Sequence, residues 1–175
     1  KLIVPEHLKS IYSTWEQAYE INKILKLYIS KRDTITDATA CIGGNSIFFH
    51  RDFKFVNSIE KDQDVFDTLK KNTNFPNCKH YNCSYLHLMY ILKQDLVFLD
   101  PPWGGTDYKK TISIDLFLDN INVVDIINNI YHNTRHIAMK IPKNYNLNNV
   151  NKKFWDWKIY PIKSNKKNIF NLIVF

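Results

Sequence analysis

Glycine is scarce in this chain of 175 residues: there are four, and they fall in two adjacent pairs, Gly43-Gly44 and Gly104-Gly105. No Gly/Ser-rich linker, repeat or low-complexity block divides the sequence. Its length fits a single domain over 1–175, with 1–30 expected as a helical extension packed on the core. Cysteine is also sparse, three residues without regular spacing, which argues against a disulfide scaffold and fits a reducing compartment. No apolar run approaches the roughly 18 residues that a membrane span needs, so no membrane partner is expected. The opening KLIVPEHLKS is too short and too charged for a secretory signal. Because it begins on lysine, the numbered chain is expected to be a fragment that can lack an N-terminal arm. Acidic residues are outnumbered: 17 Asp plus Glu against 24 Lys plus Arg leave a net charge of +7. Such a surface favours an anionic partner, but an Asn-, Lys- and Ile-rich chain carries the same charge as ordinary solvated surface. A site has to decide. Hydrophobic residues make up 45% of the chain, enough for a full core and too many for a disordered protein.

Strand and helix patterns alternate. Residues 15–29 carry apolar side chains at three- and four-residue intervals, the pattern of an amphipathic helix. Residues 34–38 read as a β-branched strand, 46–50 as a helix, 55–60 as a strand and 62–72 as a helix. A short strand over 78–82 and a helix over 84–92 follow. The run Leu96-Val97-Phe98-Leu99 closed by Asp100 has the continuous apolar character of a buried parallel strand. A helix over 115–131, a strand over 136–141, and two late strands over 155–160 and 168–175 complete the chain. Five strand–helix cycles predict an α/β, Rossmann-like sandwich with a seven-stranded, mostly parallel sheet. The last two strands form an antiparallel hairpin at one edge. Ligands in such sheets sit at the carboxyl ends of the strands, where the strand order reverses.

Two segments fall there. The first runs from Asp37 to Asn45 through Ala38 and Gly43-Gly44, leaving a strand and entering a helix. A glycine turn of this kind lets a ligand lie against the backbone, and Glu60, ending the next strand, is placed to accept from ribose hydroxyls. Asp62 is an alternative partner. The absence of G-x-G-x-x-G argues against a dinucleotide and leaves room for a nucleoside without phosphates, S-adenosylmethionine among them. The second segment is Asp100-Pro101-Pro102-Trp103-Gly104-Gly105-Thr106-Asp107-Tyr108. Two prolines fix φ and supply no N–H, so this corner offers acceptors only. A carboxylate and carbonyls can hold an exocyclic amine by both hydrogens and aim its lone pair. Trp103 offers a face on which a base can stack, worth about 1–3 kcal/mol.

Asp/Asn-Pro-Pro-aromatic after the fourth strand resembles the amino-directed, S-adenosylmethionine-dependent methyltransferases. The longer run from Phe98 to Gly105, with Asp107-Tyr108, looks like the RNA cap guanine-N2 methyltransferases, the trimethylguanosine synthase family. Asp37-Ala38 with Gly43-Gly44-Asn45 is similar to that family's cofactor turn, and Ile59-Glu60-Lys61-Asp62 to its ribose-binding segment. Ile141-Pro142-Lys143-Asn144 resembles its Pro-Arg-Asn segment near the cap phosphates, and residues 12–21 resemble the helix preceding the fold. The likeness spans about residues 12–150. It implies a class I methyltransferase that moves a methyl group from S-adenosylmethionine to N2 of a 7-methylguanosine cap. Asp100, Pro101 and Trp103 would be catalytic. Asp37, Ala38, Gly43, Gly44, Asn45, Glu60, Lys61, Asp62, Cys83, Ser84 and Asp100 would hold the cofactor, with Cys83 and Ser84 near the adenine. Trp103, Asp107, Tyr108, Lys143 and Asn144 would hold capped RNA or the cap nucleotide. The implied protein is monomeric or helped by a partner, and works in the cytoplasm, the host's if viral, or else in the nucleus. Its Asn/Lys/Ile bias fits a large DNA virus or a parasite with an AT-rich genome.

Three positions depart from the family pattern. Cys41 stands where the family has glycine, Asp100 replaces the serine of the cellular enzymes, and the N-terminal region that helps them grip the cap is expected to be short. The alternatives are an N6-adenine or another guanine-N2 RNA methyltransferase, and a catalytically silent methyltransferase-fold subunit that binds RNA or activates a capping enzyme. His80, His87, His132 and His136, with Cys78 and Cys83, lack a zinc spacing, so no metal is expected. Cys41 near His50 lacks the third group that would orient a nucleophile. Trp155 and Trp157 read as packing residues on one strand face.

Overall fold

The computed structural model describes residues 2–8, 12–154, 156–164 and 167–175. A seven-stranded sheet runs through the molecule in the order β3-β2-β1-β4-β7-β9-β8. Its strands are β1 (Thr34–Asp37), β2 (Phe55–Ile59), β3 (Cys78–Tyr81), β4 (Leu96–Leu99), β7 (His136–Ile141), β8 (Lys158–Ser164) and β9 (Lys167–Val174). β5 (Phe117–Leu118) and β6 (Ile121–Asn122) form a separate small hairpin. Neighbours from β3 to β7 are parallel; β9 is antiparallel to both β7 and β8. This is the Rossmann-like sandwich expected from the sequence, with the late hairpin at one edge and β9 on its inner side.

Side chains alternate between the two faces of the sheet, as the pleat requires. Leu96 and Phe98 of β4 pack with α1 (Trp15–Leu25) and α2 (Ser46–Asp52), while Val97 and Leu99 pack with α4 (Val123–Ile130) and α5 (Asn148–Lys153). α3 (Gln63–Asn72) buries Leu69. Every residue of β4 is buried, which explains its unbroken apolar run.

The element boundaries correct several expectations. α1 stops at Leu25, where Lys26 caps it and Leu27 bonds back to Ile24 in a tighter turn. Residues 84–92 form only one 3-10 turn, Tyr85–His87. Gln94 intervenes there, donating to the Tyr85 hydroxyl and to the Met89 carbonyl. The long helix expected over 115–131 is split. Asp119 and Asn120, with φ of 48° and 66°, make the two-residue turn of the β5–β6 hairpin, a conformation that asparagine and aspartate tolerate. Asn122 then caps α4 by accepting from the Val124 amide. β8 starts at Lys158, after Trp157, and α5 was not foreseen; Trp155 lies outside the described residues.

The chain leaves β1 toward β2 and β3 on one side and returns through β4 on the other. The crevice opened by that reversal lies beyond Asp37 and Leu99, between the loops that follow β1, β2 and β4.

Candidate active site

A cavity of about 740 Å³ occupies that crevice, within the range that ligand sites normally span. Its floor is tied together by the backbone. The Ala38 amide donates to the Phe98 carbonyl at 2.9 Å, and the Asp100 amide donates to Thr39 Oγ1 at 2.8 Å. The loops after β1 and β4 are therefore tied to each other. Thr14 and Gln17 form a capping box on α1, and both residues line the cavity.

Glu60 follows β2 directly and lies on the cavity wall. Its Oε2 accepts from the Cys41 amide at 3.1 Å and its Oε1 from the Asp62 amide at 2.8 Å. A carboxylate offers about four lone-pair sites, so each oxygen can still accept from a hydroxyl. Burial pushes its pKa up, opposed by these amide donors. Cys41 adopts φ 49° on the same wall, and burial pushes its thiol up to about 12. It is held as a neutral packing group rather than a nucleophile.

Asp100 lies one step beyond the end of β4, where the parallel register pairs Leu99 with Met139. The next residue of β7, Lys140, is 6% exposed and donates to Asp100 Oδ2 at 2.8 Å and to Ser13 Oγ at 3.1 Å. Pro101, Pro102 and Trp103 continue the wall. The Trp103 indole is half-buried, edge-on to Tyr108 at 5.2 Å and to Phe170 at 6.1 Å, and its Nε1 has no partner. The β5–β6 hairpin adds Leu118 and Asp119 to the lining. Asp119 binds Lys61 at 2.5 Å and accepts from Ser84 Oγ, which holds its carboxyl below the usual range.

Of the residues expected at the site, Ala38, Glu60, Lys61, Cys83, Ser84, Asp100, Pro101, Trp103 and Tyr108 meet on this cavity. The others are placed elsewhere. A Cβ on Gly43, whose φ is +91°, would meet Thr73 Cγ2 at 2.6 Å, and one on Gly44 would meet the Ser13 carbonyl oxygen at 2.6 Å. The glycine pair makes room for the end of α3 and for the segment before α1, and neither glycine lines the cavity. Asn45 is buried against Ser13. Asp37 is fully buried behind the wall: Oδ2 accepts from Ser46 at 2.7 Å, Oδ1 has no partner, and burial, with Asp100 and Glu60 nearby, raises its pKa to about 7. Asp62 caps α3 by accepting from the amides of Asp64 and Val65. Asp107 faces solvent, paired with Lys110. Lys143 is exposed in the turn after β7. Asn144 spends its amide on the carbonyls of Tyr108 and Thr111, bracing the loop that carries Tyr108.

Sequence reasoning missed Lys140, Asp119 and Phe170, which line the same space. Lys140 had one available signal, a lone cation inside the apolar run of β7. Among the described residues no group of three metal-ligating side chains occurs, and no helix is long and apolar enough to cross a membrane.

Residues 32–169 match the family model described as RNA cap guanine-N2 methyltransferase. A mimivirus protein, L320 of Acanthamoeba polyphaga mimivirus, itself uncharacterized, is 33% identical over 123 residues, 66% of this chain and 48% of its own. The chain thus spans about half the length of this curated relative. Among solved structures, a candidate methyltransferase from Porphyromonas gingivalis W83 superposes with a TM-score of 0.76 at 11% identity, covering 99% of this chain and 43% of that one. The TYW2 protein of M. jannaschii, solved with AdoMet, gives 0.59 at 14% identity, covering 97% and 78%. At such identities the likeness concerns the fold.

Proposed function

Since the chain belongs to the RNA cap guanine-N2 methyltransferase family, we propose that it transfers a methyl group from S-adenosylmethionine to the N2 amine of a 7-methylguanosine cap. One observation carries the reading: Glu60, Asp100 with the Pro101 corner, and Trp103 converge on a single cavity at the point where the strand order reverses.

The residues fit the cofactor. Glu60 keeps acceptor capacity for two ribose hydroxyls and puts negative charge beside a cationic ligand, the charge of Asp100 being offset by Lys140, and Cys83 and Ser84 line the wall with Asp119. S-adenosylmethionine supplies an electrophilic methyl group when bound. The chain's own task is to present a nucleophile. A guanine N2 amine is a poor one because its lone pair is delocalised into the ring. Asp100 Oδ1 and the Pro101 carbonyl accept its two N–H bonds, which turns the lone pair out of conjugation and toward the Glu60 side of the cavity. Trp103 stacks on the base, and the delocalised positive charge of a 7-methylated guanine strengthens that contact. The alkylated nitrogen is acidic enough to shed its proton to water, so the corner needs to supply acceptors and not a strong base. Lys143, exposed beyond β7, is the cation that would meet the cap phosphates.

Calorimetry should detect binding of S-adenosylhomocysteine, and labelled methyl groups should reach m7GTP in preference to GTP or an adenine-containing RNA. Trp103→Ala should abolish transfer to m7GTP while leaving S-adenosylhomocysteine affinity within about threefold, since stacking contributes about 1–3 kcal/mol and orients the base. Full activity in that variant refutes the stacking role. No affinity for S-adenosylhomocysteine identifies a silent member of the fold.

A further inference from the structure

Lys140 is the buried cation that the methyl-transfer chemistry does not itself require. Lysine is seldom buried unless paired, because removing an ammonium from water is costly. Here the strand alternation directs it inward: Met139 and Ile141 pack on one face of the sheet, and Lys140 takes the other. Its side chain is 8% exposed and that of Asp100 17%. The ammonium has three donors. One goes to Asp100 Oδ2 and one to Ser13 Oγ, and the ammonium lies 4.7 Å from the Phe170 ring centre and 5.4 Å from that of Trp103. No hydrogen bond to Asp100 Oδ1 is made by any described residue, while the Asp100 amide is fixed on Thr39. The carboxylate is thus anchored at its backbone and at one oxygen, and the second oxygen is left over.

We infer that Lys140 is a positioning residue for the amine site: by tying down Oδ2 it makes Oδ1 of Asp100 the one carboxylate acceptor presented to the substrate amine. The inference rests on the methyl-transfer reading above. It adds that the acceptor geometry belongs to an Asp–Lys pair braced by two strands, and not to the Asp-Pro-Pro loop alone. Ser13, from the segment before α1, steadies the ammonium and so connects the region that precedes the fold to the reacting corner. Lys140 touches no reacting atom in this arrangement; it acts through Asp100.

A mutant cycle over Lys140→Met, Asp100→Asn and their combination tests this, with methyl transfer to m7GTP, calorimetry of S-adenosylhomocysteine and thermal unfolding as separate readouts. Lys140→Met should lower kcat at least about tenfold and leave KM and S-adenosylhomocysteine affinity within about threefold, the signature of lost positioning and not lost binding. Asp100→Asn strands a buried ammonium, so removing Lys140 as well should raise the unfolding midpoint above that of Asp100→Asn and cost no further activity. A kcat within threefold of the parent in Lys140→Met overturns the proposal, as does a fall in cofactor-analogue binding equal to the fall in kcat. Should Lys140→Met fail to fold, the comparison of Asp100→Asn with the double variant decides: a further tenfold loss in the latter overturns it. A parent inactive on m7GTP, GTP and adenine-containing RNA overturns the methyl-transfer reading and the positioning role with it. An active parent with an indifferent Lys140→Met overturns only the latter.

Discussion

Asp37 shows how much the setting of a single side chain can change its chemistry. Fully buried, this carboxyl has its pKa raised to about 7, chiefly by burial and further by Asp100 and Glu60, against the hydrogen bonds from the Ser46 hydroxyl and the Thr39 backbone. In the unfolded chain it titrates near about 3.9. Between those values the native state binds a proton that the unfolded state does not. The stability from this group is therefore full below about pH 4 and is lost as pH rises through 7. Asn has no charge to bury, so the unfolding midpoint of Asp37→Asn minus that of the parent should increase steadily from pH 4 to pH 8. Scanning calorimetry across that range checks it, and a difference independent of pH would contradict the assignment. The same local reasoning explains the glycine pair. Position 44 lies 2.6 Å, measured from a notional Cβ, from a backbone oxygen of Ser13, so even alanine there has to displace the segment that carries Tyr12 and Thr14 to the cavity.

At the scale of elements, the β5–β6 hairpin does for the cavity what no long-range sequence signal announced. Its turn puts Asp119 between Lys61 and Ser84. Asp119→Ala places a Cβ-bearing residue without a polar handle at φ 48° and removes both contacts, which should cost about 1–3 kcal/mol in urea unfolding. Asp119→Asn keeps an acceptor and tolerates the turn, so its loss should stay below about 1 kcal/mol. Equal losses in the two variants would remove the turn from the explanation. The hairpin also marks where local pattern ran out. β4 was legible because an unbroken apolar run of four residues admits few other readings, and β7 because its apolar residues, interrupted by Lys140, end at a proline. The stretch over 115–131 was not: its apolar spacing suits a helix, and the Asp119-Asn120 turn that breaks it contains no glycine or proline. Glu60, Asp100 and Trp103 were legible for a related reason, since each closes or follows a strand. Lys140, Phe170 and Asp119 reach the same cavity only through strand order and register. A one-dimensional pattern contains neither.

For the whole molecule the relevant quantity is the net charge of +7, which acts on a polyanion far more than on a mononucleotide. Affinity for a capped oligonucleotide should fall steeply with salt, log K being linear in log salt with a slope near 0.9 or 0.7 per phosphate neutralised. Affinity for m7GTP should fall much less. Titrations from about 50 to 200 mM salt measure both slopes; equal slopes would mean that RNA beyond the cap lies off the basic surface. Assembly at this scale is constrained by the sheet order. β9 is synthesised after β8 yet lies between it and β7, and it brings Phe170 to the cavity and packs beside Lys140. As the polypeptide emerges from the ribosome, β8 can have no lasting place until the strand behind it has slid into the gap. The cavity wall that holds Asp100 and Trp103 is therefore among the last parts of this sheet to be completed, and a nascent chain released before residue 167 would carry both strand-end motifs and still lack the residues that β9 brings to the chamber.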